Sequence, residues 1–269
     1  MKAILLIISL FFLSCSQNSV ETRNNIIQEL TENKFNKKIY STNYLDIYSL
    51  QKLKNNNRLI IYIEGDGMSW IDRFTISSNP TPINPVGFKL ALTDTEGDVI
   101  YLARPCQYIW SKICEKNIWT YGQYSKEVLD SYEEIINELS LKYLEIHVVG
   151  YSGGAAIAMY LGSIGNENVK SIRTIAGNIN HHEFTKLLNI RSLKDSINFY
   201  KVEERLVNIP QNHYYGTNDK VIPQKLYTSY LQRNMSSRCI EIVSVADVGH
   251  STGWSEFWKI NNKKLPICS

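Results

Sequence analysis

Along the chain, short apolar runs alternate with stretches whose apolar positions recur every three or four residues. The runs 59–63, 99–102, 146–149, 172–175, 213–215 and 240–245 have strand length, and 39–50 reads as one or two more strands. The clearest helix is 125–141, where Val128, Leu129, Tyr132, Ile135, Ile136 and Leu139 share one face opposite Glu and Lys. Segments 153–161 and 221–233 read as further helices, and 255–260 as a short last one. Such alternation predicts an α/β fold, a mainly parallel sheet with helices on both faces.

Two regions depart from the alternation. Residues 178–208 are longer than an ordinary connection and hold one helix-like piece near 184–188, so they read as a cap-like insertion or, equally, a surface excursion. The other is the beginning of the chain. Met1 and Lys2 precede an apolar run from Ala3 to Leu13 broken only by Ser9. Eleven helical residues rise about 16 Å, short of the roughly 30 Å hydrocarbon core, which suits an export signal better than a membrane span. The following Phe12-Leu13-Ser14-Cys15 resembles a bacterial lipobox, with Phe12 in place of the usual Leu. The resemblance implies a signal peptide over 1–14, lipidation of Cys15 and a membrane partner through that anchor. It places the protein in the bacterial cell envelope, on the outer membrane or its periplasmic face. Residues 15–34 are polar and suit a solvated tether, leaving 35–269 as the folded domain.

Composition narrows the function without naming it. The chain has 269 residues, 43% of them hydrophobic, enough for a large core. Its 29 Lys and Arg against 26 Asp and Glu form no long run, so no nucleic-acid partner is expected. Besides Cys15, the cysteines are Cys106, Cys114, Cys239 and Cys268, and an oxidising compartment would favour two disulfides. Four thiols allow three pairings. Cys106 with Cys114 and Cys239 with Cys268 is the local arrangement, contributing about 2.5 and 3.5 kcal/mol by loop entropy. The spacing needed for a metal site is absent, so neither metal nor cofactor is expected.

The chemistry lies in Gly150-Tyr151-Ser152-Gly153-Gly154, which follows a buried strand and opens a small-residue helix. A serine hydroxyl is a poor nucleophile unless exposed, aligned with a base and set beside hydrogen-bond donors. A sharp strand-to-helix turn does all three. Two later segments supply partners in the required order. Asp219 follows the strand at 213–215, and His250 follows the last strand, so both fit the carboxyl ends of strands in one sheet. In this reading His250 accepts the Ser152 proton and Asp219 orients the imidazole. Asp247 is a rival acid. His147 and His213 read as structural histidines, and His181 and His182 as solvated ones.

These motifs resemble those of the α/β-hydrolase superfamily over roughly 36–264, specifically at 150–154, 216–223 and 249–250. Segments 62–67, 102–108 and 174–178 extend the likeness to exported bacterial serine hydrolases. The resemblance implies an oxyanion hole from the Gly153 amide and a donor in the loop after the strand at 59–63, with Gly67 or Met68 as candidates. Tyr151 and Trp70 are candidate substrate-pocket residues. Asp66 and Arg104 suit polar contacts with substrate or simple surface pairing. The expected activity is carboxylic ester hydrolysis through an acyl-serine. A peptidase or acyltransferase would use the same three residues, and a non-catalytic envelope-binding scaffold is the alternative outside enzymology.

Overall fold

The computed structural model describes residues 19–31 and 34–269. The expected signal segment and Cys15 lie outside the described residues. Eight strands form one sheet: β1 (Asn36–Ser41), β2 (Asp46–Lys52), β3 (Arg58–Ile63), β4 (Asp98–Leu102), β5 (Glu145–Tyr151), β6 (Val169–Ile175), β7 (Gln211–Gly216) and β8 (Ile240–Val245). Their order is β1-β2-β4-β3-β5-β6-β7-β8. The first three in that order run antiparallel to their neighbours, and from β4 onward every pair is parallel. The ambiguous run 39–50 therefore resolves into a hairpin, with Ser41 opposite Asp46.

Eight helices accompany the sheet among the described residues: α1 (Val20–Thr31), α2 (Val86–Thr93), α3 (Lys126–Ser140), α4 (Gly154–Ser163), α5 (His181–Leu187), α6 (Phe199–Glu204), α7 (Gln224–Arg233) and α8 (Trp254–Asn261). Alternation within β3 shows how they are used. Leu59, Ile61 and Ile63 pack with α3, α4 and α7, while Ile60 and Tyr62 pack with α2 and α8 on the opposite face. Because both faces are covered, β3 reads as an unbroken apolar run. Ser125 caps α3, its hydroxyl accepting from the Val128 amide, and all six apolar positions of the predicted stripe are buried.

Three expectations change. Residues 20–31 are not a solvated tether: they form α1, which buries Ile27 and Arg23 against the body. Helix α2 had no counterpart in the sequence reading. It is apolar around most of its circumference, so it has no polar face to mark its period, and it follows three prolines. The stretch 178–208 carries α5 and α6 and lies on the molecule instead of standing over the site. Phe199 and Val202 are buried in the core that includes α4, and the Ile197 amide donates to the Tyr124 carbonyl. The local cysteine pairing is the one present, Cys106 with Cys114 and Cys239 with Cys268.

Candidate active site

The elbow after β5 is built by close backbone approach. A Cβ on Gly150 would lie 2.5 Å from the Ala155 Cα, and one on Gly154 would lie 2.4 Å from the Glu64 carbonyl oxygen, so only glycine fits at either position. Between them Ser152 adopts φ +48°, a left-handed conformation that costs a non-glycine residue of order 1 to 3 kcal/mol. The elbow is held by three hydrogen bonds: the Ser152 amide donates to the Ile175 carbonyl, and the Ser152 carbonyl accepts from the Ala155 and Asn178 amides.

Ser152 Oγ lies 3.1 Å from His250 Nε2, and His250 Nδ1 lies 2.9 Å from Asp219 Oδ2. The structure thus brings the three residues together, from the ends of β5, β7 and β8. Asp219 also accepts from the Val221 and Ile222 amides at 2.7 and 3.0 Å. Burial on its own would raise its carboxyl pKa, but the His250 contact and these amides outweigh burial and hold it below the usual carboxylate range. The rival Asp247 is exposed, with its amide donating to Thr217. The His250 carbonyl receives hydrogen bonds from Trp254 Nε1 at 3.0 Å and Tyr151 Oη at 3.2 Å. Tyr151 therefore supports the histidine from beneath and is buried, not open to a ligand.

The loop after β3 removes one of the two expected donors. The Met68 amide already donates to the Pro80 carbonyl, and Gly67 packs on Pro80 and Gln107. The residues that abut the elbow are Gly65, where a Cβ would fall 3.1 Å from Ser152 Cβ, and Asp66. A Cβ on Gly153 would fall 1.8 Å from Asp66 Oδ1, so the carboxylate occupies the place of a side chain at 153. That carboxylate is paired with Arg104 Nη1 at 2.7 Å, and Arg104 is 4% exposed. Arg104 Nη2 donates to the Gln123 carbonyl, and the Gln123 side-chain amide, oriented with its nitrogen toward Asp66, donates to Asp66 Oδ1 at 2.8 Å. Gln107 Nε2 donates to the Gly65 carbonyl at 3.0 Å.

Behind the loop sits Glu64, 1% exposed, whose carboxylate accepts from the amides of Gly65, Gly87 and Phe88 and from Tyr101 Oη. It caps α2, whose N-cap position is Pro85. Burial raises the Glu64 carboxyl pKa, and its donors only partly offset this. Arg104, Gln107 and Glu64 thus brace one loop from two sides. The pairing of Asp66 with Arg104 expected at the surface is instead a largely buried one, and Gln107 on Gly65 and Glu64 on the Gly87 and Phe88 amides join residues distant in the chain.

The remaining histidines are structural. His147 bonds Ser171 and Glu145. His213, fully buried, bonds Thr174 and Gln211, and burial lowers its pKa to about 3. His181 is not solvated as expected: it is buried against Tyr124 and bonds the Ile197 carbonyl, and its pKa also falls to about 3, chiefly through burial. His182 packs 4.2 Å from the His181 ring and is half-buried. Trp70 is exposed and meets Tyr121 edge to face, ring centroids 5.9 Å apart. A cavity of about 620 Å³ lies elsewhere, between α1 and the β1–β2 hairpin. Asp66, which abuts Gly153, also lines a small crevice with Ser69, Arg104, Trp119 and Gln123.

No family model matches the sequence, and no curated protein is similar to it. Solved structures do match. Est1E from Butyrivibrio proteoclasticus superposes with a TM-score of 0.61 at 10% identity, covering 85% of this chain and 96% of that one. The Pyrococcus furiosus esterase Pf2001 gives 0.62 at 12% identity, covering 86% and 88%. A Xanthomonas campestris protein described as an α/β serine hydrolase without a lid gives 0.53 at 9%, covering 88% and 97%. The chain therefore has the α/β-hydrolase fold.

Proposed function

We propose that the protein is an exported serine hydrolase, anchored through a lipid on Cys15, that cleaves carboxylic esters. The reading rests on one observation: Ser152 Oγ, His250 and Asp219 form a continuous hydrogen-bonded relay at 3.1 and 2.9 Å, with the serine raised on a strained elbow. Among proteins of the same fold, two of those compared carry esterase or serine hydrolase descriptions, which favours ester substrates.

In the proposed reaction Ser152 Oγ attacks the ester carbonyl while its proton moves to His250 Nε2. Asp219 keeps the proton of His250 on Nδ1 and stabilises the imidazolium. The developing oxyanion would be met by two amides that make no other hydrogen bond among the described residues, those of Gly153 and Asp66. Each such donor is worth about 2.7 to 4 kcal/mol of barrier. His250 then returns its proton to the leaving alkoxide, and water repeats the sequence to release the acid and free Ser152.

A fluorophosphonate probe tests the reading directly. Folded native protein should label stoichiometrically, whereas Ser152→Ala should not label and His250→Ala only at a residual rate. Native protein that resists the probe, or label that persists in Ser152→Ala, would refute the assignment. A panel of esters of graded chain length, read with the Ser152→Ala blank, then defines the acyl preference.

A further inference from the structure

The residues after Asp66 form a rigid apolar projection. Ser69 Oγ donates to the Asp66 carbonyl, and the chain then turns through a small hairpin in which Trp70 pairs with Ile76 and Ser77 with Ser69. Its tip is fixed by Asp72, whose carboxylate accepts from the Phe74 and Thr75 amides. This ordered turn holds Ile71 58% exposed and Phe74 85% exposed. Trp110, 55% exposed, extends the same face: it packs edge to face on Trp119, whose indole donates to the Ser77 carbonyl. Apolar tips this open normally mark a contact surface. The exposed charges around it are Arg73, Lys112, Lys116 and Arg191 against Glu115, with Asp72 engaged in the turn.

The start of α1 identifies what covers this face. Arg23 spans from the Ser19 carbonyl, 3.4 Å from its Nε, to the Thr81 and Asn79 carbonyls, 2.6 and 3.2 Å from Nη1, and its Nη1 also reaches Met68 Sδ. The beginning of α1 is thereby fastened to the same 68–81 loop that carries the hairpin. Cys15 precedes Ser19 by four residues, a reach of at most about 14 Å. An acyl anchor on Cys15 would hold this edge at the membrane surface.

We infer that the 70–76 hairpin and Trp110 form a membrane-inserting edge that holds the adjoining Asp66 loop and the Ser152 elbow near the leaflet, and that the substrate is an amphiphilic ester drawn from that leaflet. Aromatic rings at the headgroup level and cations above anionic lipid suit this placement. The inference rests on the hydrolase reading and on Cys15 acylation, and it assigns the substrate class that reading leaves open.

The test uses the full lipidated chain in phosphatidylglycerol and phosphatidylcholine vesicles with brominated acyl chains. Tryptophan emission should be quenched in native protein. Ile71→Glu with Phe74→Glu, both on exposed positions, should cut the quenching severalfold. Phe74→Ser should cut it less. In the same vesicles the double variant should hydrolyse a long-chain lipid ester about tenfold more slowly, with a short water-soluble ester turned over at the native rate. Ser152→Ala should quench like native protein while hydrolysing neither ester; native protein that is quenched yet hydrolyses neither ester would fail the hydrolase reading alone. Equal quenching in native and double-variant protein would overturn the membrane edge. So would an unacylated Cys15 by mass spectrometry, or a dimer that the double variant dissolves.

Discussion

The two sides of the site are built differently. On the triad side, geometry comes from backbone packing: glycines at 150, 154 and 216 permit contacts no side chain could survive, the last lying against the Val248 carbonyl just before His250. On the oxyanion side, the loop after β3 is held by side chains, with Arg104 on Asp66, Gln107 on Gly65 and Glu64 on the Gly65 amide. A glycine requirement is written locally in a sequence, whereas a buried charge clamp joins positions about forty residues apart. The same protein therefore exposes one half of its chemistry to sequence reading and conceals the other.

Substitutions separate the two halves. The largest effect should come from the triad. Ser152→Ala or His250→Ala should lower kcat on the order of 10⁶-fold, measured by ester hydrolysis above a heat-killed blank. Asp219→Asn should cost about 10⁴-fold with KM little changed, because the imidazole loses its orienting acceptor.

Next comes the boundary between the halves. Gly153→Ala drives a methyl into Asp66 Oδ1 and should reduce kcat about a hundredfold by displacing the loop. Adding Asp66→Ala should restore part of that loss. No recovery in the double variant would mean that Asp66 does not define the space beside the serine.

The oxyanion side should yield smaller effects. Glu64→Gln presents an amide NH₂ where four donors already point, and should cost about 1 to 3 kcal/mol of stability in urea titration. It should also lower kcat more than it raises KM. At neutral pH the least visible effect is a pH slope that develops only in acid. His181 and His213 are depressed to about 3 when folded, whereas the unfolded chain takes up these protons near 6.5. As pH falls from about 6.5 toward 3, the unfolded state binds more protons and stability drops, by roughly 1 kcal/mol per pH unit for each histidine. His213→Gln should flatten that slope without altering turnover at neutral pH.

This division explains what could be read from the sequence. Six strand positions, the elbow and the order serine, aspartate, histidine were legible because periodicity and glycine spacing are local signals. Met68 was the wrong choice for the second donor because its amide is taken by the Pro80 carbonyl, which lies further along the chain. Helix α1 was hidden for a similar reason. Ile27 and the partly buried Leu30 give it only a narrow apolar anchor among polar neighbours, and its other fastening, Arg23 on the 79–81 carbonyls, joins residues separated by 56 and 58 positions.

His250 also hangs from the last helix. Trp254 grips its carbonyl, and Trp258, one turn later in α8, donates to Tyr62 Oη and lies under the buried Arg173 guanidinium, which in turn donates to the Asn262 carbonyl. A stop codon shortly after residue 253 would therefore spare all eight strands and every triad member yet release the base from its mount. Such a product should survive as an inert, partly folded polypeptide, which makes the final sixteen residues a natural place to split the gene for a complementation reporter.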